Sequence, residues 1–272
     1  MAVVIPIADP DDPRIAPYRA VRERDLVGRE GLFVAEGRVV LEKLVRAGRH
    51  PISSLLVAEA RLDGLRPVLD ALAAQVPVYA APQPVMDAVA GFPVHRGVLG
   101  IGERRAMTPR ELLAGLGESC LVVGLSAIAN HDNMGGIFRN AAAFGAAAVL
   151  LDAACCDPLY RKAIRVSVGA ALTTPFAQLT PDEDLAQTLA AAGLEVVALS
   201  PRGEVELADL ACGSRVAALF GAEGPGLAPD LLARTRTVRI EMAQGFDSLN
   251  VATTSGMVLY QLSKRRSAER PA

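Results

Sequence analysis

Short runs rich in Val, Ala and Leu recur through the second half of the chain, at Leu121–Leu125, Ala147–Leu151, Glu195–Leu199, Val216–Phe220 and Thr237–Ile240, with helical stretches between them. Runs this apolar have no polar face to offer solvent. They predict strands buried on both sides, in a parallel sheet covered by helices. Ligands on such sheets bind beyond the carboxyl ends of the strands, so the loops that follow these runs are the places to look for chemistry.

The first part of the chain predicts a smaller alternating α/β unit. A helix over Gly37–Ala47 sets Val39, Val40, Leu44 and Val45 at helical spacing, and a second covers Leu65–Ala73. Apolar runs at Ser54–Val57, Val76–Ala80 and Gly97–Ile101 read as strands, and the polar stretch Glu103–Arg110 marks a junction. The expected domains are therefore 13–103 and 117–267 of a 272-residue chain, in keeping with about 150 residues per domain.

Hydrophobic residues make up 51% of the chain and charged residues 21%, which excludes a disordered or fibrous protein. Apolar stretches are broken by Gly, Pro or charge well short of the ~18–20 residues of a membrane span. The N-terminal MAVVIPIADPDD has neither a basic flank nor a small-residue cleavage site. A cytoplasmic protein without a membrane partner is expected. The net charge of −2 argues against a uniformly basic, sequence-blind polyanion binder. The 28 basic residues are nevertheless almost all Arg, whose planar fork suits phosphate and stacked bases. Between Arg14 and Arg49 nine basic residues face five acidic ones, and Lys264–Arg270 carries four bases and one acid. Cys120, Cys155, Cys156 and Cys212 lack the paired spacing of a zinc site, and His50, His95 and His131 are scattered. They read as core or surface residues, and no metal is expected.

Three loops could carry chemistry. After the run ending at Leu125 comes Asn130-His131-Asp132-Asn133-Met134-Gly135-Gly136-Ile137-Phe138-Arg139, opening an Ala-rich helix. Asn133 reads as its N-cap, which would put Arg139 on the second turn. The second loop, Gly221-Ala222-Glu223-Gly224-Pro225-Gly226-Leu227, follows a strand directly. Its glycines allow close backbone approach, but the spacing is neither that of a Walker A loop nor that of the dinucleotide fingerprint. The third runs from Ile240, Glu241 and Met242 to Asp247, Ser248, Leu249, Asn250 and Val251, then continues as a helix to Leu262. Asp247 or Ser248 could cap that helix. Asn250 would then sit in its first turn, where a buried amide needs a partner from another loop or a ligand.

Taken together, N-x-G-x-x-x-R at Asn133–Arg139, F-G-x-E-G-x-G-L at Phe220–Leu227, and I-x-M at Ile240–Met242 followed by S-L-N-V at Ser248–Val251 resemble, in order and spacing, the three motifs of the SpoU/TrmH family. Arg165, Ser167 and Gly169 resemble its R-x-S-x-G segment, expected at the catalytic cleft. Leu32–Arg38 with the following helix, and His95-Arg96-Gly97, resemble the ribosomal-protein-like substrate-binding domain of its rRNA enzymes. Two positions depart from the family pattern. Glu241 stands where Pro is frequent, and Asn130-His131 where Asp-Pro is frequent.

The resemblance implies an S-adenosylmethionine-dependent RNA ribose 2′-O-methyltransferase acting as a homodimer. Its C-terminal parallel α/β domain would be tied in a deep trefoil knot. Leu199, Gly221, Ile240, Met242 and Leu249 would surround the cofactor. Arg139, Asn133, Glu223, Ser248 and Asn250 would form the catalytic set, with Arg139 engaging the acceptor, and Arg165, Ser167 and Arg38 would contact RNA. The N-terminal domain points to large-subunit rRNA rather than tRNA. A tRNA ribose methyltransferase, a non-catalytic RNA-binding assembly factor of the same fold, and a base methyltransferase using Asp132 or Asp247 remain as alternatives.

Overall fold

The structure, a computed structural model, describes residues 3–19, 26–246 and 248–268. The chain divides into two compact units, one of residues 1–105 and 159–173, the other of residues 106–158 and 174–272.

The first unit is built on a five-stranded mixed sheet of β1 (Val4–Pro6), β2 (Leu32–Glu36), β3 (Ile52–Ala58), β4 (Val78–Ala81) and β5 (Val98–Glu103). Its order is β1-β4-β3-β5-β2, with β2 and β3 antiparallel to β5 and the remaining pairs parallel. Gly102 on β5 permits the close packing of Phe33, whose ring would meet a Cβ there at 2.3 Å. The helix Arg38–Ala47 buries Val40, Leu41 and Leu44, and ends in a left-handed Gly48. The expected strands and this helix are present to within two residues at each end. The helix expected over Leu65–Ala73 is shorter, Arg66–Asp70. The helix Gln83–Ala90 and strands β1 and β2 were not foreseen.

Residues 159–173, assigned by sequence to the second domain, pack with the first unit. Arg161 lies 3.0 Å from the buried Glu36 carboxylate and stacks over Phe92 at 4.0 Å from the ring centroid. Gly169, at φ +78°, leaves room for Lys43 and the Val40 backbone, either of which a Cβ would meet within 3.4 Å.

The second unit contains a seven-stranded, wholly parallel sheet: β6 (Cys120–Leu125), β7 (Ala148–Leu151), β8 (Phe176–Gln178), β9 (Glu195–Leu199), β10 (Val205–Glu206), β11 (Arg215–Phe220) and β12 (Arg236–Arg239). The order is β10-β12-β9-β11-β6-β7-β8. Every residue of β6 and β7 is buried, as the continuous apolar runs predict. Packing is close at the centre, where a Cβ on Gly124 would lie 2.2 Å from Leu219. The chain proceeds outward from β6 through β7 and β8, then crosses to build the other half of the sheet. The reversal sets the carboxyl ends of β6, β9, β11 and β12 around one crevice. Among the described residues, no helix is long and apolar enough to cross a membrane.

Candidate functional site

The loop after β6 is held open by Asp152, the first residue beyond β7. Its carboxylate accepts from Ser126 Oγ at 2.7 Å and from the Ala127 amide at 3.0 and 3.1 Å. Ala127 itself sits at φ +54°, a conformation costly for a residue with a Cβ and stabilised here by those bonds. Cys155 closes the same corner, its thiol pushed up by burial and by Asp152. Burial also pushes Cys156 up to about 11, so both remain protonated thiols at neutral pH.

The helix His131–Ala143 follows, and its cap differs from the sequence expectation. Asn130, not Asn133, is the N-cap, accepting from the amides of Asp132 and Asn133 at 2.8 and 3.2 Å. Asn133 is therefore free to turn inward, and it is 6% exposed. Its Nδ2 donates to Glu223 Oε1 at 2.6 Å. Asn250 Nδ2 donates both to Asn133 Oδ1 at 2.9 Å and to Glu223 Oε1 at 3.0 Å. The three loops thus meet in one hydrogen-bonded cluster.

Asn250 also caps the final helix, Val251–Ala268, its Oδ1 accepting from the amides of Ala252 and Thr253 at 2.9 and 3.2 Å. Neither Ser248 nor the first turn takes the place expected for it. Ser248 precedes the cap and is exposed, and Asp247 lies outside the described residues. The Glu223 carboxylate consequently lies beside the N-terminal ends of two helices, where the backbone dipoles favour an anion. The two helices are in close contact. A Cβ on Gly136 would meet Ala252 Cβ at 2.7 Å, and Asn140 Nδ2 donates to Ala252 O and Ser255 Oγ at 2.7 and 2.9 Å.

The Gly-rich loop folds on itself. Ala222 and Gly226 form an isolated antiparallel bridge, with Gly224 and Gly226 at positive φ. The close approach that Gly221 permits is to its own loop, since a Cβ there would lie 2.3 Å from the Gly226 carbonyl carbon.

The Gly-rich loop, the turn after β9, the loop after β12 and the start of the final helix line a cavity of about 890 Å³. Leu199, Gly221, Ile240, Met242 and Leu249 all line it, as do Glu223, Ser248 and Asn250. Arg139 does not. With Asn130 as cap it falls in the third helical turn rather than the second, exposed to solvent and with no hydrogen-bond or ion-pair partner among the described residues. Of the residues expected to contact RNA, Arg38 is exposed and pairs with Glu42 at 2.7 Å, and Arg165 is exposed. Ser167 is fully buried, donating to Ile164 O and accepting from the Ala171 amide. It joins two short helical turns and presents nothing to a ligand.

Sequence reasoning missed Asp152, Asn140 and Arg202. Asp152 carried one signal, its place at the carboxyl end of a buried strand. Asn140 and Arg202 carried none, an amide on a helix and an arginine in a turn being ordinary surface residues.

The chain aligns over 267 residues at 37% identity with an uncharacterised tRNA/rRNA methyltransferase of Mycobacterium bovis, covering 95% of this chain and 91% of that one. Its fold is similar to the crystal structure of an AdoMet-bound rRNA methyltransferase from Sinorhizobium meliloti, with a TM-score of 0.83 at 24% identity over 96% of this chain and 98% of the other. It is similar also to the SpoU methyltransferase AviRb from Streptomyces viridochromogenes in complex with AdoMet, with a TM-score of 0.81 at 24% identity over 95% and 100%. The model of the SpoU rRNA methylase family matches residues 120–260, a span that begins with β6 and takes in all three loops of the Asn133–Glu223–Asn250 cluster. The chain belongs to the SpoU rRNA methylase family of RNA methyltransferases.

Proposed function

We propose that this protein methylates a ribose 2′-hydroxyl of RNA, in large-subunit rRNA, with S-adenosylmethionine as donor. The observation that carries the reading is the hydrogen-bonded cluster of Asn133, Glu223 and Asn250, of which Glu223 and Asn250 line a cavity walled by backbone and apolar side chains. The cavity is within the roughly 300–1,000 Å³ range of cofactor sites. Leu199, Phe220, Ile240 and Leu249 give its wall an apolar surface suited to a purine ring, while Glu223 sets a carboxylate against the cationic portion of the donor. The crystallised neighbours with AdoMet bound support the same assignment.

When bound, the cofactor supplies a sulfonium methyl group. The ribose oxygen would take that methyl as its own proton leaves to a neighbouring phosphate oxygen or to water, so opposite charges would cancel along the reaction, which a preorganised site favours. Asn133 and Asn250 fix the Glu223 carboxylate through one of its oxygens, Oε1. Arg139 stays protonated and has no partner within the described chain. Its role in this reading is to grip the phosphate next to the acceptor ribose and to stabilise the developing alkoxide. Arg165 and Arg38, both exposed, are further RNA contacts in this reading. Large apolar side chains left exposed at Phe246, Leu249, Met257 and Tyr260 support a homodimer. The crossing of the chain between the halves of the parallel sheet is compatible with a trefoil knot.

The test is incubation with methyl-labelled S-adenosylmethionine and separate rRNA and tRNA fractions, followed by alkaline hydrolysis. Label recovered in alkali-resistant dinucleotides from large-subunit rRNA is the expected result. Label in tRNA alone would move the substrate, label in bases would move the acceptor atom, and no label in any RNA would remove the enzymatic reading.

A further inference from the structure

Among the described residues lining the cavity, only two are charged: Glu223 on the loop after β11 and Arg202 on the turn after β9. Glu223 is already engaged by two amides. Arg202 is exposed, and its side chain has no hydrogen-bond or ion-pair partner among the described residues.

The backbone that carries Arg202 is nonetheless firmly placed. Its amide donates to Ser200 Oγ at 3.3 Å, and the Gly203 amide donates to Ser200 O at 3.0 Å. The turn rests against β12 so closely that a Cβ on Gly203 would lie 2.4 Å from the Val238 carbonyl carbon. Arg239 fastens the far side, donating to Gly203 O at 2.9 Å and Glu204 O at 3.0 Å, while its own charge is met by Glu206 at 2.7 Å. The neighbouring cation is therefore committed to the fold, and Arg202 alone brings an open guanidinium fork to the cavity wall.

A planar fork of this kind matches a carboxylate with two parallel donors. We propose that Arg202 binds the α-carboxylate of the methionine portion of S-adenosylmethionine and so sets which way the cofactor lies in the cavity. This rests on the functional reading above. With Arg202 on one wall and Glu223 on another, a ligand with a carboxylate at one end and a cation nearer its middle is favoured in one orientation. The reverse orientation would bring like charges together.

Calorimetry on the full chain separates this role from a structural one. S-adenosylhomocysteine keeps the carboxylate, whereas 5′-methylthioadenosine lacks the whole amino-acid portion. Arg202→Gln should weaken S-adenosylhomocysteine by about tenfold or more, the scale of a charged hydrogen bond, and leave 5′-methylthioadenosine within about twofold, and Arg202→Lys should recover part of the loss. An equal loss for both ligands would make the turn merely structural and overturn the proposal. So would unchanged binding of both, or a loss confined to RNA affinity measured by filter binding. If the unaltered protein bound neither ligand, the functional reading itself would fall, and this inference with it.

Discussion

Asn250 stands 117 positions beyond Asn133, yet its Nδ2 donates to Asn133 Oδ1 at 2.9 Å, and both amides share Glu223 Oε1. Residues bound into one network do not contribute independently. Asn133→Ala and Asn250→Ala should each lower kcat/KM, and the double variant should lose less than the sum, with a coupling energy of about 1–3 kcal/mol. The check is a full cycle of kcat/KM values. Strict additivity would mean that the cluster does not act as a unit.

The two glycines of the loop after β11 should respond differently to the same substitution. Gly221→Ala places a Cβ 2.3 Å from the loop's own backbone, whereas Gly224, at φ +85°, has nothing within 4 Å. Gly224→Ala should cost about 1 kcal/mol in strain and keep cofactor binding. Gly221→Ala should deform the cavity and weaken S-adenosylhomocysteine binding by roughly tenfold or more, the effect of losing one charged hydrogen bond or its equivalent. Titration calorimetry with matched melting curves would decide. Equal effects would contradict the described loop geometry.

Arg139 is exposed and has no side-chain partner among the described residues, so nothing in the described fold depends on its charge. Arg139→Ala should leave the melting temperature and cofactor affinity unchanged and lower kcat by roughly 10²–10³-fold, the usual cost of removing a donor to a developing oxyanion. Full turnover by this variant would exclude Arg139 from the reaction.

His50 gives the fold an acid-sensitive point in the first unit. It is buried edge-on against Phe33 and accepts from the Arg105 amide through Nδ1. Burial, aided by the Arg49 charge, lowers its pKa from 6.5 to about 4. The unfolded chain therefore binds a proton between those values that the folded chain does not. The stabilisation is complete above about pH 6.5 and is lost as the pH falls through about 4. After allowance for solvent screening, this amounts to about 2 kcal/mol. Urea melts from pH 7 to pH 4 should show the decline, and His50→Gln should flatten it. An unchanged slope in that variant would place the acid sensitivity elsewhere.

The parallel sheet was legible because strands buried on both faces have no choice but to be apolar throughout. Each of the runs from Leu121 to Ile240 forms a strand. The two that escaped, Phe176–Gln178 and Val205–Glu206, are short edge strands whose pattern barely differs from that of a loop. The loops of the site were also legible, but their inner geometry was not. Asn130 and Asn133 are equally good caps by residue type. Only the path of the chain leaving β6, fixed by the distant Asp152, selects the first and releases the second toward Glu223 and Asn250. Segment 159–173 carries short apolar patches that would cover either sheet, and its ion pair with Glu36 spans 125 positions. Such a pairing leaves no trace in local pattern.

The amide that starts the final helix also steadies the carboxylate at the cavity mouth, so Asn250 answers to two masters. A change that re-aims it for a different ligand would unravel the first turn of a helix packed against Asn140 and Gly136. Substitutions that hold nothing else in place are thereby confined to surfaces away from this shared amide.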